Sequence, residues 1–308
     1  MFLITIDSSS DCSIEELNKQ NIPVISFEYT DGKNTFVDNM DESLYKNFYL
    51  KIKDGTVYKT SQINPNTYYN FFENQLKYNL PIIHISLGSG LSNSINNAKL
   101  AVELLKEKYP NSDIRIVDTK LASLGSVLIK NELLKYRNEN LSINEAEEKI
   151  NNIVDNLNAF YTTNTLTYFA RGGRLSKIEA FFGNALKINP ILDCDPDGKL
   201  RVIEKVKGEK KALDKLINRI KHSVINPKEQ TIYICHADNE IKALTLANRL
   251  VNEVGFKDYK IYFMGPIIGA HTGPNLIAAF FFGKKREKVV HTIIDNKDEL
   301  KDELNKLA

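Results

Sequence analysis

Three stretches of this 308-residue chain bring hydroxyl, imidazole and guanidinium groups to glycine-bearing turns, where together they could hold an anion. Ser86-Leu87-Gly88-Ser89-Gly90-Leu91-Ser92-Asn93-Ser94 leaves an apolar run and enters a helical pattern. Its hydroxyls and backbone N–H groups therefore converge at a helix N-terminus, which favours negative charge. Ser92 or Ser94 would serve equally well as a helix cap. In Arg171-Gly172-Gly173-Arg174 two glycines permit close backbone approach. Its two guanidiniums could hold a carboxylate or another anion, or make structural salt bridges. Gly265–Pro274 is a loop dense in glycine and proline with His271 and Thr272 at its heart. The residues that follow, Asn275 to Phe282, have no polar face, as expected of a buried helix or the wall of an apolar cavity.

Other patterns are excluded by their context. Asp193-Cys194-Asp195-Pro196-Asp197-Gly198 with Glu204 has the spacing of a calcium loop. Such a loop needs a helix on each side, whereas Pro190 precedes it and Leu200 and Val202 alternate with polar neighbours after it. Asp195–Gly198 is instead read as the turn of a hairpin. The five histidines are scattered without an i,i+4 pair, so no metal site is expected. Gly88-Ser89-Gly90 lacks the third glycine of a dinucleotide fingerprint, and no G-x-S-x-G elbow surrounds Ser86, Ser89 or Ser92. Cys12, Cys194 and Cys235 are odd in number and far apart, which suggests neither a disulfide framework nor zinc.

The elements that must position these groups alternate short β-rich runs with helical periodicities, the signature of an α/β protein. Phe2–Ile6, Pro81–Leu87 and Ile114–Asp118 read as strands. Between the last two, Ile95, Ala98, Ala101, Val102 and Leu105 recur at helical spacing, giving a right-handed βαβ unit and a parallel sheet. A helix over 144–157 is followed by a reset of the pattern, so two domains are expected, 1–157 and 158–308. The second half predicts strands near 188–193, 199–206, 231–235, 259–264 and 289–294, with helices at 210–223, 239–254 and 296–307. Forty-one Lys+Arg against thirty-nine Asp+Glu give a net charge of +2, which argues against a nucleic-acid binder. No apolar run approaches the roughly 20 residues of a membrane span. The N-terminus reads as a strand rather than a leader, and a cytoplasmic location is expected. Lys284-Lys285-Arg286-Glu287-Lys288 concentrates four positive charges, expected either as a solvated loop or as a contact for an anionic membrane.

Five motifs in order carry a resemblance: Asp7-Ser8-Ser9-Ser10-Asp11, Thr60-Ser61-Gln62, Leu91-Ser92, Arg171–Arg174 and His271-Thr272-Gly273-Pro274. Together they span residues 7–274, and the chain resembles the DegV family of bacterial fatty-acid-binding proteins. The resemblance implies two α/β domains, the first with a parallel sheet flanked by helices and the second with a mixed sheet, and a long-chain fatty acid between them. It implies a carboxylate held by Thr60, Ser92, His271 and Arg171. Asp7, Ser61, Gly172, Gly173, Arg174, Thr272 and Gly273 would support that site. Phe181, Phe182, Ile268, Phe280 and Phe281 are candidates for the tail lining. No cofactor or metal is implied beyond the lipid. In the carrier branch a separate fatty acid kinase subunit phosphorylates the bound acid for phospholipid synthesis, and the absence of a Walker motif here agrees with a non-enzymatic carrier. One position departs: the family usually reads Leu-Ser-Gly-Thr where this chain has Leu91-Ser92-Asn93-Ser94. Asn tolerates a left-handed backbone, and Ser keeps the hydroxyl. The competing reading is an acyl-ester hydrolase with Ser92 as nucleophile, His271 as base and Asp7 or Asp11 as orienting acid.

Overall fold

The computed structural model describes residues 1–175 and 188–287. The first half runs β1 (Leu3–Asp7), α1 (Ile14–Lys19), β2 (Val24–Ile25), β3 (Glu28–Thr30), β4 (Thr35–Val37), α2 (Tyr45–Lys53), β5 (Lys59–Ser61), α3 (Pro65–Leu76), β6 (Ile82–Ser86), α4 (Ser94–Lys108), β7 (Ile114–Asp118), α5 (Leu124–Asn138) and α6 (Ile143–Val154). The second runs β8 (Leu157–Thr162), α7 (Thr167–Gly172), β9 (Ile188–Cys194), β10 (Leu200–Lys207), α8 (Glu209–Ser223), β11 (Thr231–His236), α9 (Glu240–Arg249), β12 (Asp258–Phe263), α10 (Pro266–Thr272) and β13 (Ile277–Phe282). Strands β2-β1-β6-β7 form a parallel sheet, and β10-β9-β8-β13-β11-β12 form a mixed sheet of six. A small antiparallel sheet, β4-β3-β5, is the third. Two α/β domains therefore result, one on each of the larger sheets, as the resemblance implied.

Local chemistry explains many boundaries. Asn64 accepts from Thr67 N–H and Pro65 opens α3, while Ser142 and Glu145 form a reciprocal capping box on α6. Strands β9 and β10 pair antiparallel across Asp195–Gly198, where the Asp195 carboxylate accepts from the Asp197 and Lys199 N–H groups and Gly198 takes φ +80°. The hairpin expectation holds. Among the described residues no group of His, Cys, Asp or Glu is placed to hold a metal ion, and no helix is long and apolar enough to cross a membrane.

Period-two alternation sorts each strand between two cores. In β6, Ile82 faces α3 and α4, while Ile83 and Ile85 face α5. In the six-stranded sheet Phe160, Ile232, Ile234, Ala279 and Phe281 pack with α8 and α9. The opposite face, with Ala159, Tyr161, Cys235, Ala278 and Phe280, joins the same core as Ile83 and Ile85. Helix α5 touches β1 and β6 on one side and β8, β11 and β13 on the other. One apolar core thus joins the two domains.

Several elements escaped the sequence. Residues Ile277–Phe282 form a strand rather than the buried helix that was one alternative, because a strand covered on both faces has no polar alternation to reveal it. The small sheet and helices α2, α3 and α5 were not anticipated. The strand expected at 289–294 and the helix at 296–307 lie outside the described residues. The basic run needs correction as a surface patch. Arg286 is buried and donates to the carbonyls of Lys120, Asp195 and Val154, and Lys285 pairs with Asp155. Lys288 lies outside the described residues. What reads as a run of free charge is in good part a clasp between the β7 loop, α6 and the β9–β10 turn.

Buried carboxyls gather around the 3-10 turn Ser8–Ser10. Burial pushes Asp7 and Asp38 up to about 6 and Asp11 up to about 7. Because these values lie above those of an unfolded chain, the carboxyls support folding at low pH and lose that support as pH rises through 6 and 7. Burial drives His84 down to about 3 and His271 to about 4, a pair that costs stability only below about pH 6.5. Between pH 6.5 and 8 the acids dominate. Stability should fall by about 1 kcal/mol over that window, and Asp11→Asn should flatten the fall; urea titrations at both pH values would measure it. An unchanged slope in the variant would contradict this assignment.

Candidate functional site

The strand order places a topological switch between β1 and β6, and crevices at such points open beyond the carboxyl ends of the strands. Asp7, at the end of β1, receives the N–H of Ser9 at 3.1 Å and that of Leu87 at 2.8 Å, tying the loops after β1 and β6 together. Thr119 Oγ1 donates to Ser86 O and Gly88 N–H to Leu121 O, which adds the loop after β7. Gly88 and Gly90 are needed because any Cβ would collide with the backbone of Lys120–Leu121 and of Asp197–Gly198. On this base Ser92 N–H bonds Gly88 O, and Ser92 Oγ accepts from Ser94 N–H at 3.2 Å. Asn93 sits at φ −83°, so the glycine usual there in the family is not required for its backbone freedom. Ser94 Oγ in turn accepts from Ile63 N–H, drawing the Thr60–Gln62 segment toward Ser92.

His271 occupies the last turn of α10, and its Nε2 lies 2.8 Å from Thr60 Oγ1. The Arg171–Arg174 turn rests on its ring, and a Cβ at Gly172 would overlap His271 Nδ1. Gly173 and Gly273 adopt φ +67° and +69°, and Gly273 also abuts the Tyr168 ring. Thr272 turns its hydroxyl to Met264 Sδ and Gly273 O. Burial first, and the Arg174 charge second, push His271 down to about 4, so the ring is neutral at pH 7. Arg174 donates to Leu91 O at 3.1 Å and Gly172 O at 2.5 Å, and it pairs with no carboxylate among the described residues. A half-buried cation that bonds only to carbonyls there has charge to spare for a ligand. Arg171, in contrast, is exposed and lies over the Tyr168 ring.

These groups close one end of a cavity in the shared core. It takes in about 830 Å³ of space free of protein atoms, part of it open solvent. Thr60, Ser61, Gln62, Ser92, Arg174, His271 and Thr272 are polar lining residues. Leu87, Leu121, Ala159, Phe169, Met264, Ile268, Leu276, Ala278 and Phe280 supply much of the apolar wall. Phe280 and Ile268 are thus at the cavity. Phe281 is not: one residue along β13, it points to the other face and packs on Phe160 and Phe256. Phe181 and Phe182 lie outside the described residues. A second cleft lined by Tyr58, Lys59, Tyr168 and Arg171 adjoins the polar end, sharing Thr60, Arg174 and His271 with the cavity. Sequence reasoning missed Tyr161, Cys194, Ser123 and Met264 as lining. Only the pairing of Tyr161 with Ala278 and of Ala159 with Phe280 shows that these side chains share a face.

Comparison with known proteins follows the same lines. The model of the DegV family, described as uncharacterised proteins, matches residues 1–284. The chain belongs to the DegV family. It is 34% identical to the DegV domain-containing protein CPE0026 of Clostridium perfringens over 287 residues, covering 93% of this chain and 99% of that one. A DegV lipid binding protein of Thermotoga maritima superposes with TM-score 0.79 at 26% identity, covering 93% and 100% of the two chains. The fatty acid binding DegV family protein SAG1342 of Streptococcus agalactiae gives the same TM-score and identity over 92% and 99%. The hydrolase reading gains nothing from this DegV-family site: His271 Nε2 engages Thr60, and Ser92 Oγ engages Ser94.

The two arginines should separate cleanly. Arg174→Gln is expected to weaken binding of a long-chain carboxylate about ten- to hundred-fold, the scale of a lost hydrogen bond to a charged group. Arg171→Ala should stay within about twofold, since exposed charges contribute little. Calorimetric titration of the delipidated variants with palmitic acid reads both.

Proposed function

We propose that this chain binds one long-chain fatty acid in the cavity between its two sheets, with the carboxylate at Thr60, Ser92, His271 and Arg174. The observation that carries the reading is the union, in one cavity, of a long apolar wall and a polar end containing an arginine without a carboxylate partner among the described residues. DegV structures described as lipid or fatty acid binding superpose on the chain over more than nine-tenths of its length. A tail of about 14 methylenes at roughly 0.8 kcal/mol each carries on the order of 11 kcal/mol of transfer free energy before association costs. The head group must lose water as well, so preplaced donors are needed. Thr60 and Ser92 hydroxyls, the neutral His271 ring and the Arg174 guanidinium offer them.

We extend this reading to a carrier role. The outer cleft gives a way to the carboxylate end past Lys59, Arg171 and Tyr168. A separate kinase could phosphorylate the acid there while the tail stays buried, and the acyl phosphate would then pass to lipid synthesis. The chain acts in this scheme as a binding subunit rather than as the catalyst.

Purified protein should carry about one equivalent of long-chain fatty acid, detectable by native mass spectrometry before and after organic extraction. Thr60→Val and Ser92→Ala should each weaken reloading by roughly ten- to hundred-fold while thermal unfolding stays cooperative. Preparations that contain no acyl chain and accept none would refute the assignment.

A further inference from the structure

The cleft outside the polar end differs in chemistry from the cavity it adjoins. Lys59, Arg171 and Arg174 are among its lining residues, beside Tyr58, Tyr168, Thr60 and His271, and no Asp or Glu among the described residues is. Arg171 stands in the last turn of α7 with its guanidinium 5.7 Å from the centre of the Tyr168 ring, which keeps that charge beside the cleft. Arg174 lines both compartments and donates to Gly172 O, closing the turn that carries the two arginines. Among the described residues none of these three cations meets a carboxylate, whereas Arg115, Arg201, Arg219 and Arg249 each do.

Positive charge gathered in a concave site raises the local concentration of anions. A fatty-acid carboxylate cannot use all of the charge here. It has two oxygens, and in the reading above Thr60, Ser92, His271 and Arg174 already supply their donors. Arg171 and Lys59 line the outer compartment alone, beyond those donors. A phosphate monoester brings three terminal oxygens and close to two negative charges at pH 7. Guanidinium forks match such oxygens in geometry, and the charges of Arg171 and Arg174 together match the dianion. His271, neutral at that pH, sets no further charge beside them.

We infer that the outer cleft is a phosphate site continuous with the acyl cavity, and that the protein binds single-chain lipids with a phosphate head more tightly than the free acid. Arg171 is the residue that sets this preference. The inference rests on the fatty-acid reading above and adds the class of head group. The tail stays in the apolar compartment, the first polar atoms of the head lie at Thr60 and His271, and the phosphate oxygens reach Arg174 and Arg171 across the Gly172-Gly173 turn. A carboxylate stops short of Arg171, so the outer arginine separates the two head groups while the inner one serves both.

The test is calorimetric titration of the delipidated protein with hexadecyl phosphate and with palmitic acid, which share a chain and differ in the head. Hexadecyl phosphate should bind about five-fold more tightly, the scale of one added ion pair at a partly exposed site. Arg171→Ala should abolish that ratio by weakening the phosphate alone, and Arg171→Lys, which keeps the charge and loses the fork, should leave an intermediate ratio. Arg174→Gln should weaken both ligands. Equal affinity for the two heads in the parent protein, or a ratio that survives Arg171→Ala, would overturn the inference. Inorganic phosphate added to palmitate-loaded protein is the control for a free-ion site: binding there that Arg171→Ala removes, with no preference for hexadecyl phosphate, would assign the cleft to free phosphate and overturn the head-group assignment. Failure of palmitic acid itself to bind the parent protein would instead overturn the fatty-acid reading, and this inference with it.

Discussion

The two large sheets bury facing surfaces against one another through α5, and the cavity exists because that shared core is not filled along its whole length. Ile83 and Ile85 from the parallel sheet and Tyr233, Ala278 and Phe280 from the mixed sheet belong to a single apolar cluster. Burial at about 25 cal/mol per Å² makes such a seam costly to open, so the domains are held as one unit. Small side chains at Ala159 and Ala278 on the cavity face leave room that larger ones would occupy. The cavity is a consequence of residue size along strands whose alternation fixes which side chains meet.

Polar lining of the cavity comes from several elements, with Thr60 and Ser61 on β5, His271 and Thr272 on α10, and Ser92 and Arg174 on loops. Asp7 illustrates the economy of the arrangement: its carboxyl closes the turn after β1 and holds the loop after β6. The same loop presents Ser92, and Arg174 fastens it from the other domain through Leu91 O. The polar end of the cavity is therefore built from both halves of the chain, so its geometry depends on their docking. Asp11 adds a further cross-link by accepting from Gly265, just before the helix that carries His271. A network of this kind favours a rigid, preformed site, which reduces the ordering cost of binding.

Charge is handled by burial and pairing rather than by abundance. Lys130, wholly buried, is matched by Glu16 and Gln20, and Arg286 by three carbonyls. Against that background a guanidinium at a cavity mouth with only carbonyl partners among the described residues has a distinct meaning. Buried or half-buried cations are costly unless matched, and under the proposed function a ligand carboxylate would supply the missing match for Arg174. His271 contributes differently: kept neutral, it gives a hydrogen bond without adding a second desolvated charge.

The sequence alone determined the local grammar. Helical spacing of Ile95, Ala98, Ala101, Val102 and Leu105 marked α4 and the parallel βαβ unit, and Asp195-Pro196-Asp197-Gly198 marked a hairpin turn, because both depend on short-range geometry. Five motifs in order pointed to the family, since glycines and hydroxyls at turns leave a readable trace. The sequence could not decide which member of a pair faces the cavity. Arg171 and Arg174 are two glycines apart, yet one stacks on Tyr168 outside and the other lines the cavity. Phe280 and Phe281 are neighbours on opposite faces of one sheet, and a fully apolar strand carries no alternation to tell them apart. Arg286 reads as free charge until three carbonyls from three distant segments surround it. Facing and pairing of this kind are set by strand register and domain docking, which are long-range contacts, and so only the tertiary structure decides them.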